Sequence, residues 1–457
     1  MLIINYNKAK KIIQRLTLLI ILNLPHMTKV KFTSRKNSKF EKTVADTTTD
    51  RLAIESTTMV NTLAIAGIDI TLDEIRDIEQ RSYRVIEKLR ETVFEPGKQK
   101  RLKIAFSISE AARMIGRTPT AIRDAEKVGR LPEPQKDSYG RRLGYTLQDI
   151  NIMRREFETL PWRDSNDDPL VLAVSNFKGG VGKSTLVAHI AQNLALRGYR
   201  VCAIDCDPQG SLTTLFGFNP DYELEAQDTL FPFLMRERDT LTYALRPTYW
   251  DQLSLIPANL SLYSIEYQLA ARLPANPLML ERLRLGIDTI KDCFDVIVID
   301  PPPALGMLSL SVVRAATALV VPVRPATIDF GSTAHFFTLL IEALETLAAQ
   351  GLQPRYKFLK VLVNAMDETK SAHTEITRMM RQVYQTAMFN TVMKDSAEVD
   401  NAGARLMSVY ELEEATTSRE TYRRCKAYLD AVNREIELLI RKTWPSHHEA
   451  LRREGLI

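Results

Sequence analysis

From residue 168 to 445 the chain alternates short apolar runs with longer stretches whose apolar positions recur every three or four residues. The runs LVLAVSN (170–176), RVCAID (200–205), LSLIPA (253–258), FDVIVID (294–300), ALVVPVRP (318–325), KVLVNAMD (360–367) and AMFNT (387–391) read as strands. The stretches between them read as helices, the clearest being TLVAHIAQNLALRGYR (185–200), which ends at Gly198. Strands alternating with helices predict an α/β fold with a mostly parallel, doubly wound sheet covered on both faces. Ligands of such a sheet sit at the C-terminal ends of its strands.

The pattern upstream is different. TLDEIRDIEQRSYRVIEKLRETVF places Leu72, Ile75, Ile78, Val85 (or Ile86), Leu89 and Val93 at helical spacing behind a Thr71 cap, and Pro96-Gly97 ends the run. This defines a helical segment over 66–97, with two readings open: packing on its own domain, or self-association as a dimerisation helix. In FSISEAARMIGRTPTAIRDAEKVGRLPEP, Ser109, Glu110, Ala111, Ala112, Met114 and Ile115 form a first short helix stopped by Gly116. Thr118-Pro119 opens a second helix carrying Ile122, Arg123 and Lys127. Two helices about a glycine-containing turn make a helix-turn-helix, and DSYGRRLGYTLQDI then supplies a hairpin wing with Arg141 and Arg142 and a further helix. The segment 100–162 is therefore read as an all-α, winged helix-turn-helix domain, and 168–445 as the α/β domain.

Charge sharpens this division. The net charge is only +5, yet residues 1–50 hold ten Lys/Arg against three Asp/Glu and residues 101–150 ten against six, so the remainder is mildly acidic. An anionic partner is expected for the N-terminal third, and nucleic acid fits it. Thr120, Arg123, Lys127, Arg130, Arg141 and Arg142 are the expected phosphate contacts. Residues 1–65 read as a disordered basic arm. Within it, KAKKIIQRLTLLIILNLPHM imitates a secretory signal, but no small-residue cleavage site follows and the apolar run is too short to span a bilayer. Both Met1 and Met27 are compatible start sites, the second leaving 1–26 untranslated. Four cysteines without C-x-x-C spacing argue against a disulfide framework and a structural zinc site, and for a cytoplasmic protein.

The chemistry lies in NFKGGVGKST (176–185), which has the strand, glycine-rich loop and helix that a phosphate loop requires. Gly179, Gly180, Val181, Gly182, Lys183, Ser184 and Thr185 would cradle phosphate oxygens. Lys183 would neutralise the β- and γ-phosphates and the Ser184 hydroxyl would ligate Mg²⁺. The glycine that opens the standard pattern is absent: position 177 is Phe177, and a second lysine, Lys178, follows it. DCDPQGS (205–211) and FDVIVIDPPP (294–303) each end a strand in carboxylates.

K-G-G-V-G-K-S-T resembles the deviant Walker A motif of the ParA/MinD class of P-loop ATPases. That resemblance implies that Lys178 reaches the phosphates of the facing subunit in a nucleotide-sandwiched homodimer. It also implies that Asp207 orients the attacking water, that Asp205 sits near the metal and that Asp300, in the Walker B position, holds Mg²⁺. Asn364 would touch adenine, Arg324-Pro325 and ATIDFGS would form the dimer-face switch, and Lys394 and Arg405 would give nonspecific DNA affinity. Residues 107–149 resemble a winged helix-turn-helix of the MerR type. In this order the segments look like the large ParA proteins of plasmid partition loci, including the RepA-like branch. The resemblance implies a weak Mg-dependent ATPase that dimerises on ATP and binds operator and nonspecific DNA on the nucleoid. A ParB-like centromere-binding partner would stimulate hydrolysis, and the protein would repress its own operon. A nucleotide-responsive repressor without a partition role is the alternative. A MinD-like membrane role is disfavoured because IELLIRKTWPSHHEALRREGLI is broken by Pro445, and a metal-cluster reductase because Cys202 and Cys206 flank Asp205 beside the phosphates.

Overall fold

A computed structural model describes residues 71–93, 100–273, 277–349, 351 and 356–457. The basic arm, with its apolar run and Met27, lies outside the described residues.

Helix α1 (Leu72–Val93) belongs to a unit of its own. Thr71 and Glu74 cap it reciprocally: the Glu74 amide donates to Thr71 Oγ1 (3.3 Å) and the Thr71 amide to Glu74 Oε2 (2.7 Å). Its apolar stripe, Leu72, Ile75, Ile78 and Val85, is exposed.

The rest of the described chain forms the second unit. Helices α2 (Ile108–Ile115), α3 (Pro119–Lys127) and α4 (Leu147–Glu156) enclose a small core of Ala111, Ile115, Ile122, Leu131, Tyr145 and Ile150. Gly116 ends α2 in the left-handed region (φ 65°), where its amide reaches the carbonyls of Ala112 and Arg113. Thr118 caps α3 through the Ala121 amide and Pro119 occupies its first turn. Between α3 and α4 Lys136 makes a single antiparallel bridge to Arg142, and Tyr145 makes another to Phe106 just ahead of α2.

The sheet contains β1 (Leu170–Val174), β2 (Val201–Asp205), β3 (Arg246–Pro247), β4 (Leu253–Ile256), β5 (Val296–Asp300), β6 (Ala318–Val323) and β7 (Phe358–Val363). Their order is β3-β4-β2-β5-β1-β6-β7, and every pair is parallel except β3 with β4. β1, β2, β5 and β6 are buried throughout, as continuous apolar runs covered on both faces must be. Helices on the faces include α5 (Lys183–Arg197), α6 (Ser211–Leu215), α7 (Leu262–Arg272), α8 (Met307–Ala315), α9 (Thr327–Ala349), α10 (Ser371–Tyr384), α11 (Ala397–Ala404) and α12 (Arg419–Lys442).

Two details depart from the sequence pattern. AMFNT is not a strand: Met388 makes one bridge to Val361, after which the amides of Asn390 and Thr391 both donate to the Glu435 carboxylate (2.9 Å each). A side chain from α12 thus takes the donors that a ladder would need. β3, two residues long and containing Pro247, is too short for any periodicity to announce.

The α2–α4 bundle is bonded to the sheet domain by buried polar groups. Arg154 in α4, 1% exposed, donates from Nη2 to the Leu196 carbonyl (2.6 Å) and from Nη1 to Asn151 Oδ1 (2.5 Å); Asn151 in turn donates to Asp251 (2.7 Å). Lys100 pairs with Glu411 (3.0 Å) and donates to the carbonyls of Leu215 and Leu406 (3.0 and 2.8 Å).

Candidate nucleotide site

β1 lies between β5 and β6, and β2 lies on the far side of β5. The loops leaving β1, β2 and β5 therefore open at one edge of the sheet, and Asp205 and Asp300 are register partners across β2 and β5. Such a crevice at the carboxyl ends of parallel strands is where ligands bind in open α/β sheets.

The β1–α5 loop is shaped by glycine. Gly180 and Gly182 have φ of 72° and 83°, which an L side chain rarely adopts. At Gly182 a Cβ would stand 2.7 Å from Asn364 Nδ2. That amide donates to the Val181 carbonyl (2.7 Å), so Asn364, at the end of β7, holds the loop's curvature. Phe177, in place of the standard glycine, packs on Phe336 of α9 with ring centroids 4.7 Å apart and anchors the start of the loop. Gly182 gives α5 no side-chain cap, so its first amides and the positive end of its dipole face the loop's cavity.

Two lysines serve this loop in different ways. Lys183 is buried and donates to the Lys178 carbonyl (2.9 Å); burial pulls its pKa below the ordinary value, against the attraction of Asp300 and Asp207. Lys178 is half-exposed, and its ammonium pairs with Asp329 in the first turn of α9. Asp329 falls within the ATIDFGS segment.

The carboxylates are equally distinct. Asp205 is fully buried; it accepts from the amide and hydroxyl of Thr213 (2.9 and 2.7 Å) and from the Asp207 amide (3.0 Å). Asp207 is partly exposed, and its Oδ1 accepts from the Gln209 amide (3.0 Å). Asp300 is fully buried, and among the described residues neither carboxylate oxygen has a partner of good hydrogen-bond geometry, although the Ser184 hydroxyl faces them. Burial and the adjacent Asp205 charge push its pKa well above the usual carboxylate range, while the facing Ser184 hydroxyl pulls the other way. A buried carboxylate facing a hydroxyl and the Lys183 ammonium has the donor set of a magnesium–phosphate site. Ser184 and Asp300 fit that role, and Asp205 beside them accepts two hydrogen bonds from Thr213 on α6 and one from the Asp207 amide.

A cavity of about 140 Å³ beyond the loop is lined by Gly182, Thr185, Arg324, Asn364, Lys394 and Asp395. Lys394 is thus beside the nucleotide loop, paired with Glu368 (2.7 Å) and lying over the Tyr428 ring. Arg405 is exposed at the end of α11. Thr120, Arg123, Lys127 and Arg141 are exposed on α3 and the turn before α4. Arg130 pairs with Glu156 (2.6 Å), and Arg142 with Glu126 (2.8 Å) and the Tyr145 hydroxyl (2.7 Å).

Sequence reasoning passed over His189. Its Nδ1 lies 2.7 Å from the Thr185 carbonyl and its Nε2 accepts from the Val409 amide (3.2 Å). Burial lowers its pKa to about 4, so it is neutral in the fold. The available signal was a lone histidine inside the apolar face of the helix after the loop.

A parallel α/β sheet with this loop and these carboxylates at its strand ends defines a P-loop nucleotide-binding protein. A family profile described as an AAA domain matches residues 170–353. Protein SopA of Escherichia coli (strain K12) is 36% identical over 350 residues, 74% of this chain and 89% of its own. A putative replication protein A of Rhizobium rhizogenes is 33% identical over 367 residues, covering 77% and 90%. A solved structure described as a partition protein superposes with a TM-score of 0.57 at 21% identity, over 80% of this chain and 98% of that one, and shows the shared fold. The chain belongs to the ParA/SopA-type partition ATPases.

Proposed function

We propose that this protein is a plasmid partition ATPase that binds ATP with Mg²⁺, dimerises on it, and is switched by its slow hydrolysis. The observation that carries the reading is Asp300: a buried carboxylate that faces Ser184 and that no well-formed hydrogen bond among the described residues satisfies, at the end of a strand beside a two-lysine phosphate loop. Bound Mg²⁺ would neutralise charge on the β- and γ-phosphates. Ser184 and Asp300 would hold it, and the loop amides and Lys183 would bind the phosphates. Asp207, on the turn braced by Asp205, would orient the attacking water. Phosphoryl transfer rests largely on such positioning and charge neutralisation.

Lys178 would complete the site of a second copy. Its pairing with Asp329 opens when the lysine reaches across the interface, and the stripe on α1 is the self-association surface on the preceding unit. Residues 100–162 would bind operator DNA, with the exposed Thr120, Arg123, Lys127 and Arg141 contacting phosphates that position the domain. Arg130, Arg142 and Arg405 supplement them, and Lys394 is better placed for the nucleotide than for DNA. A ParB-like centromere-binding protein is the expected stimulator, and the ATP form would associate with the nucleoid. Among the described residues no helix is long and apolar enough to cross a membrane.

The second reading, a nucleotide-responsive repressor of its own operon, is favoured by the buried bonds of Arg154 on α4 and of Lys100, ahead of α2, to the sheet domain. Steady-state ATPase assays with DNA and the product of the neighbouring gene separate the two. Stimulation by both supports partition, whereas nucleotide-dependent operator binding with unstimulated turnover supports the repressor. No nucleotide binding at all would refute both.

A further inference from the structure

α7 touches both loops that carry the acidic chemistry. Its inner face is anchored by Leu262, Ile265 and Leu269, all fully buried. Tyr263 and Glu266, three residues apart, project from neighbouring positions on one side of the helix. The Tyr263 hydroxyl accepts from Gln209 Nε2 (2.7 Å), and the Gln209 amide donates to Asp207 Oδ1 (3.0 Å), so one contact steadies the turn after β2. Glu266 accepts from the amides of Met307 (2.6 Å, Oε2) and Leu308 (3.1 Å, Oε1), the first residues of α8. No other hydrogen-bond partner of its carboxylate is seen among the described residues.

The loop that Glu266 grips is the one leaving Asp300. It runs through Pro301, Pro302 and Pro303 to Gly306, and the Ser309 hydroxyl ties its middle at the Ala304 carbonyl (2.6 Å). Gly306 is required by the grip, because a Cβ there would stand 2.5 Å from Glu266 Oε2. A carboxylate on the orphan amides of a helix start is electrostatically favoured and leaves little freedom in the residues just before it.

We propose that Tyr263 and Glu266 are positioning residues for hydrolysis: one helix face sets the spacing between the turn carrying Asp207 and the loop leaving Asp300. This rests on the ATPase reading above. Neither residue binds nucleotide, so their loss should affect turnover and spare affinity.

The test uses the full chain and the variants Glu266→Gln, Tyr263→Phe and their double. Fluorescent ATP-analogue affinity, steady-state ATPase and hydrogen–deuterium exchange of peptides spanning 205–212 and 300–309 are compared. Glu266→Gln keeps one acceptor of two and should lower kcat about tenfold with affinity within twofold. Tyr263→Phe should lower it about threefold. The double variant should fall close to Glu266→Gln alone, since the Tyr263 contact can set the spacing only while Glu266 holds the other loop. Exchange should quicken at 300–309 in Glu266→Gln and at 205–212 in Tyr263→Phe.

Exchange in both peptides unchanged from wild type overturns the bracket whether or not the protein turns over ATP. Altered exchange with unchanged kcat, or with affinity lost in parallel, overturns the role in hydrolysis. A wild-type protein that binds ATP but never cleaves it refutes the ATPase reading and with it that role, leaving the exchange data to judge the bracket. Gly306→Ala, which crowds the same carboxylate, should reproduce the Glu266→Gln exchange pattern, and a wild-type pattern there overturns the grip.

Discussion

The two ends of α5 solve the same electrostatic problem in opposite ways. At the N-terminus, Gly182 offers no side-chain cap, the amides are open and Lys183 adds positive charge. At the C-terminus, Gly198 (φ 98°) closes the helix, Arg154 donates to the Leu196 carbonyl and Trp162 Nε1 to the Gly198 carbonyl (2.9 Å). A Cβ on Gly198 would lie 2.8 Å from the Arg154 guanidinium, so the arginine is packed flush against the helix end. One end is satisfied by the protein's own donors, and the other is left for an anion to complete. Missing satisfaction marks the ligand site, and full satisfaction marks the structural joint.

That contrast breaks most visibly at Lys183. Lys183→Ala should weaken ATP-analogue binding by about 100-fold or more, as expected when one partner of a buried charge pair is removed. Titration of the fluorescent analogue checks it, and the denaturation midpoint without nucleotide should not fall. Arg154→Ala makes the converse case. It orphans Asn151 Oδ1 and the Leu196 carbonyl and should cost about 3 kcal/mol in urea denaturation, with nucleotide affinity in the folded protein little changed. Loss of nucleotide binding there would join the two ends into one functional unit.

Midway along α5, His189 gives a pH signature. Its folded pKa of about 4 lies below the ordinary 6.5, so between these values the unfolded chain binds more protons and stability falls as pH falls. Near 1.4 kcal/mol per pH unit, this histidine contributes a loss of about 2 kcal/mol from pH 6.5 to 5. Denaturation series of wild type and His189→Gln should diverge in slope by that amount over this window. The smallest effect is expected at the loop's mouth. Lys178 is partly solvated, so releasing it through Asp329→Asn should shift ATP-dependent dimerisation by only about threefold. Light scattering with a non-cleavable analogue measures it, and a monomer at every concentration would refute the interface role of Lys178.

Legibility followed the range of the interactions. The strands β1, β2, β4, β5, β6 and β7 stand out because each is a run of apolar residues between turn formers. The caps at Thr118 and Gly116 are equally local: one side chain or one φ value decides each. Within the loop, the residue types needed for a phosphate cradle are contiguous. AMFNT misled because a remote carboxylate, Glu435, took its amides, and a segment's own composition cannot announce a competitor 44 residues away.

What the chain determines by itself is the set of chemical parts: a phosphate loop with two lysines, carboxylates ending two strands, a basic helical segment ahead of them, and the alternating pattern that orders them into a parallel sheet. Periodicity and motif spacing are local properties, and local physics is enough to read them. Only the tertiary structure decided how the acids differ. Asp205 is held by Thr213, Asp300 faces the Ser184 hydroxyl with no well-formed hydrogen bond among the described residues, Lys178 finds Asp329 on a helix some 150 residues away, and Arg154 closes the far end of α5. Hydrogen-bond satisfaction depends on which groups the fold brings within about 3 Å, and that proximity exists only once the sheet has assembled.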